Sequence, residues 1–108
     1  MSEFKGTPGP WEIKPEEVDK HYIRIRGTQL GGRYKVANVL TPVYEGVHER
    51  EAKETRANAH LIAAAPELLE ALQQTIPHMR EQSKLDGHAF GTLQLIRRVI
   101  AKALGETK

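Results

Sequence analysis

Up to about residue 46, apolar and polar residues alternate in short runs; beyond it they recur at three- and four-residue spacing. The chain therefore reads as strands first and helices afterwards. Trp11-Glu12-Ile13-Lys14 alternates and stops at Pro15, which predicts a short edge strand. In His21-Tyr22-Ile23-Arg24-Ile25-Arg26, Ile23 and Ile25 share one face while Tyr22, Arg24 and Arg26 take the other. Gly27-Thr28-Gln29-Leu30-Gly31-Gly32-Arg33 reads as a turn whose three glycines supply positive φ. Tyr34 to Leu40 is then the returning strand of a hairpin, ended by Thr41-Pro42. Two or three such strands are not stable alone in water, so a helix has to cover one face.

The second half supplies the helices. From Glu49 to Ala65 every residue tolerates a helix, and Ala52, Thr55, Ala59, Ile62 and Ala63 form one stripe of mostly small residues. Pro66 either stops this helix or starts the next, where a first-turn proline costs little. Leu68, Leu69, Leu72 and Ile76 make a second apolar stripe, expected to end or kink at Pro77. Residues 80–88 read as a polar connection. A last helix starts near the capping residue Asp86 and runs to Leu104, with Phe90, Leu93, Ile96, Ile100 and Leu104 on one face and Gly105 as its stop. That helix could pair with the Leu68–Ile76 helix or with its counterpart on a second chain. The expected fold is α+β: a small N-terminal antiparallel sheet of two or three strands followed by two or three helices.

Length and composition fit this picture. The 108 residues suit one domain, β-rich over 1–46 and helical over 47–108, and the balance of 39% hydrophobic to 28% charged residues is that of a globular chain. With only 6% aromatic residues, the core must be aliphatic. Absence of cysteine excludes disulfides, thiolate metal sites and cysteine nucleophiles. No stretch approaches a membrane span and no signal-peptide block opens the chain, so a cytoplasmic location is expected. A pI near 9.0 overstates the charge, which is only +2. The first 46 residues carry seven Lys/Arg against six Asp/Glu and the remainder nine against eight, so any anion binding must rest on a local patch.

Two stretches are more specific than their composition: Thr7-Pro8-Gly9-Pro10-Trp11, and the run from Asn58 to Leu72 reading NAHLIAAAPELLEAL. Together they resemble a group of small accessory proteins encoded by tailed phages and prophages, which open on TPGPW and continue into an ANAxLIAAAPELLEAL helix pair. The resemblance covers about a fifth of the chain and stops short of the last helix. It implies a setting, the cytoplasm of an infected bacterium, in which anti-defence and host-takeover factors are common. In the order of its elements the chain also resembles the anti-Thoeris sponge proteins of phages, which capture a cyclic-ADP-ribose-type signal inside an oligomer.

The catalytic inventory is thin. Ser2 and Ser83 stand in no nucleophile-elbow sequence, and Asp19 and Asp86 read as turn or cap residues. The five histidines (His21, His48, His60, His78 and His88) show no metal-ligand spacing, and the Gly27–Gly32 turn lacks the ending of a phosphate loop. Neither an enzyme nor a cofactor or metal site is expected. Positive groups give the better lead. Arg24, Arg26, Arg33 and Lys35 could gather beside Tyr22 if the hairpin forms, and Arg97-Arg98 with Lys102 decorates the last helix; guanidinium groups grip phosphate in a fork. Both patches could equally be solvated surface. Asn58 caps a strand or touches a ligand, and Trp11 pins the N-terminus or offers a stacking surface. The expected function is a non-enzymatic phage accessory protein, homo-oligomeric through its helices, that sequesters a nucleotide-type anion or a host protein. The alternative is a nucleic-acid-binding or transcription-modulating module.

Overall fold

A computed structural model describes residues 3–17, 21–29, 34–40 and 49–106, with the backbone alone over 49–52. The order is β1 (Trp11–Ile13), β2 (Tyr22–Gly27), β3 (Lys35–Leu40), α1 (Glu49–Ala63), α2 (Ala65–Ser83) and α3 (Gly87–Ala103). The strands form one antiparallel sheet in the order β1-β2-β3. The fold is α+β. Its residues fall into two compact units, one within Thr7–Pro66, the other within Met1–Gly6 and Glu67–Lys108.

The first unit contains the sheet and α1. Alternation along β2 buries Ile23, Ile25 and Gly27 and leaves Tyr22, Arg24 and Arg26 half-buried on the other side. Ile23 and Ile25 close on Ala59 of α1, with Trp11, Ile13, Val36, Ala37, Val39 and Ile62 packed around them. Thr55 and Ala59 are buried one turn apart, as the small-residue stripe predicts. Gly27 serves as a close-packed strand residue and not as a left-handed turn residue: a Cβ there would come within 2.7 Å of Thr7 Cγ2. Residues 30–33 and 41–42, where the hairpin turn and strand ending are expected, lie outside the described residues.

The N-terminal stretch is tied down by its own carbonyls. Trp11 Nε1 donates to Thr7 O at 3.0 Å, Thr28 donates through both its N–H (3.2 Å) and its hydroxyl (2.9 Å) to Pro10 O, and Gln29 Nε2 donates to Gly9 O at 3.3 Å. Gly9 lies so close to Pro66 that an added Cβ would fall 2.6 Å from the proline Cβ. The two stretches singled out from the sequence therefore meet in space.

The second unit is built on α2 and α3, which fold back through residues 84–86. Ile76, Leu93 and Ile100 form its buried centre, flanked by Leu69, Leu72, Met79, Ile96 and Leu104. The N-cap is Asp86, whose Oδ1 accepts from His88 N at 2.9 Å. At the other end Gly105 has φ +74°, with Gly105 N bonded to Lys102 O (3.1 Å) and Glu106 N to Ala101 O (2.8 Å), the paired bonds of a Schellman turn.

Three expectations need correction. Pro77 neither ends nor bounds α2, which runs on to Ser83 and absorbs part of the supposed polar connection over 80–88. The ring is exposed, and Ile76 and Met79 on either side continue the buried stripe, so packing outweighs the one lost backbone bond. Leu68 is 48% and Phe90 54% exposed, so neither belongs to the core stripe.

Gly9→Ala should lower stability by about 1–3 kcal/mol, because a rigid ring and not a flexible side-chain tip opposes the new methyl group. Asp86→Ala should cost about 1 kcal/mol through loss of the α3 cap. Urea unfolding of both variants checks these values.

Candidate functional site

The outer face of the sheet, opposite α1, collects Arg24, Arg26 and Lys35 of the basic residues marked in the sequence. Pairing places Glu12 beside Arg26 across β1 and β2, and sets Tyr22 opposite Leu40 and Arg24 opposite Asn38 across β2 and β3. The register then shifts between Ile25 and Arg26, so that Ile25 pairs with Ala37 but Arg26 with Lys35. Such a shift leaves one extra residue, Val36, on β3. Strict alternation would send Lys35 to the same side as Ala37 and Val39, against the core. The extra residue instead lets Val36 and Ala37 both pack on the isoleucine cluster and leaves Lys35 exposed opposite Arg26.

Not every cation on this face is equally available. Arg24 Nη2 lies 3.0 Å from Glu17 Oε1 and donates to Pro15 O at 3.3 Å, so it clips the segment after β1 to the sheet. Lys14 Nζ sits 2.6 Å from Glu12 Oε1. Arg26 and Lys35 are the pair in which like charges stand across from one another, an arrangement that costs stability unless something anionic neutralises it. Tyr22 is half-buried and Leu40 is 74% exposed, so the face also offers apolar surface.

Arg33 lies outside the described residues. Asn58 is exposed on α1. Arg97 and Arg98, expected side by side on a polar face, part company because successive helix residues are about 100° apart. Arg97 flanks the core stripe and lines a pocket with Arg80, a residue expected in the polar connection over 80–88; Arg98 does not line it. Continuation of the Leu72, Ile76, Met79 spacing through Pro77 is the signal that would have put Arg80 on a helix.

On the α1 side, a cleft of about 310 Å³ has Ile13, Ile23 and Ala59 as its floor and Glu16, Arg56 and His60 at its edge. Its main cation is engaged: Arg56 Nε bonds Glu16 Oε2 at 3.2 Å. Among the described residues no group of three or more His, Asp or Glu side chains is placed to hold a metal ion. No helix among them is long and apolar enough to cross a membrane.

Residues 1–107 match the family model described as Salmonella phage P22 protein Y8K6. No curated protein and no solved structure matches the chain.

Lys35→Glu would replace the like-charge pair with an opposite-charge one. Urea unfolding should show a gain of about 0.2–1 kcal/mol, which 1 M salt should largely abolish.

Proposed function

The chain belongs to the family of Salmonella phage P22 protein Y8K6, and from that premise we propose that it is a phage accessory protein that binds and sequesters an acidic host protein through the outer face of its sheet. The observation carrying this reading is the juxtaposition of Arg26 and Lys35. Two cations held opposite each other lower the stability of the free protein and gain from an anionic partner.

The character of the face favours a protein over a nucleic acid. Glu12 and Glu17 stand among the cations and would repel a phosphate backbone, whereas a protein surface of mixed charge can pair with both signs. An aromatic ring beside an exposed leucine (Tyr22 and Leu40), with arginines further along the same face of β2, is also the mixture from which protein interfaces are made. Capture of a nucleotide signal, in the manner of a sponge protein, would call for a more enclosed site than this open sheet face. Self-association through the helices belongs to the same reading: Leu95 (51% exposed) and Val99 (42%) stand one turn apart on α3, away from its buried stripe.

Immobilised protein should retain an acidic protein from bacterial lysate, and retention should weaken as salt rises from 50 to 300 mM. Lys35→Glu should lose that partner while melting no lower than the parent. Retention of DNA with a steep salt dependence would instead favour the nucleic-acid reading, and heat released on adding cyclic nucleotides would favour the signal-capture reading. Sedimentation should find a dimer or larger species that Leu95→Lys converts to monomer.

A further inference from the structure

Between α2 and α3 lies a pocket of about 170 Å³, independent of the sheet face and of the function proposed for it. Its floor is aliphatic: Ile76 from α2, and Ile100 and Leu104 from α3. Arg80 from α2 and Arg97 from α3 stand at its rim, both exposed. Among the described residues neither guanidinium enters an ion pair. Glu106 completes the wall, its backbone held by the Schellman turn through the 2.8 Å bond from Glu106 N to Ala101 O.

From this arrangement we infer that the pocket binds a carboxylate borne on a short branched aliphatic group. Each part of the pocket selects one part of the ligand. Two arginines from different helices offer forked donors to a planar carboxylate. The aliphatic floor gains from burying a small apolar group but offers nothing to a polar one. Size limits the inserted group to a small one, since pockets for drug-sized molecules begin at about 300 Å³. Charge narrows the choice further. With Glu106 present the lining carries one net positive charge, which a monoanion neutralises and a phosphate bearing two negative charges would over-compensate.

This chemistry has two sources: a free short-chain carboxylic acid, or the C-terminal carboxylate of a polypeptide ending in an aliphatic residue. Methyl NMR of the full chain, following Ile76, Ile100 and Leu104, separates them with four probes: 4-methylpentanoate, inorganic phosphate, a hexapeptide ending in leucine, and the same peptide amidated. The free-acid peptide should give saturable shifts at those methyls, and amidation should weaken them at least tenfold. Phosphate should neither shift the methyls nor compete. If 4-methylpentanoate binds as well as the peptide, the ligand is the free acid; if only the peptide binds, it is a chain end. Arg97→Gln should weaken binding tenfold or more, and Glu106→Gln, by removing the competing carboxylate, should tighten it severalfold. Both residues are exposed, so the methyl spectrum of the unliganded variants should stay that of the parent. Equal binding of amidated and free peptide, or no saturable shift from either acid at millimolar concentration, would overturn the assignment, as would an Arg97→Gln variant that binds unchanged.

Discussion

A three-stranded sheet whose first strand is only Trp11–Ile13 depends on whatever covers its inner face, and here the cover is one turn of α1 centred on Ala59. Ile25 is fully buried and Ala59 is 1% exposed, so the helix backbone comes close to β2 at that point. A larger residue at position 59 would lift α1 from the sheet and uncover Ile23 and Ile25 together. Every other feature of the first unit presupposes this contact. It determines which face of β2 is inward, and therefore leaves Tyr22, Arg24 and Arg26 on the outward one.

The N-terminal segment depends on the same core. Trp11 packs against it, and the carbonyls of Thr7, Gly9 and Pro10 accept hydrogen bonds from Trp11, Gln29 and Thr28, so the segment is held at the far end of β2. Gly9 then meets Pro66, just past the end of α1. The two stretches that stand out in the sequence thus have a structural reason for their residue types. Glycine is required where proline packs against it, and proline is tolerated in the first turn of α2 because its missing N–H would have no intrahelical partner there.

Much of this architecture was legible because it follows from local periodicity. The two faces of β2, the cap at Asp86 and the stop at Gly105 each depend on residues a few positions apart. The misreadings have a common cause, namely that tertiary contact decided against local preference. Pro77 is a helix breaker by propensity, yet Ile76 and Met79 hold α2 through it. Gly27 reads as a turn residue, yet it is needed small because Thr7 crosses close to it. The extra residue in β3 could not be read at all, since it exists only relative to β2. It is what lets Lys35, expected beside Arg24 and Arg26, stand opposite Arg26, where simple alternation would turn it inward. Arg80 was missed for the same reason as the end of α2.

The two cationic sites differ in how they treat their carboxylates, and that difference separates the ligands they suit. On the sheet, Glu12 and Glu17 pair with Lys14 and Arg24, leaving Arg26 and Lys35 as the excess charge on an open, partly apolar surface. Such a surface gains most from a broad partner that supplies both charge and contact area. In the helical unit Glu106 lines a small pocket without closing an ion pair with either arginine. It therefore limits the net charge while leaving both guanidinium forks free to bind. An open face with two excess cations and a small pocket with one net positive charge cannot serve one ligand equally well. Their chemistries point to separate binding events, one governed by salt and surface area, the other by the shape and single charge of a small group.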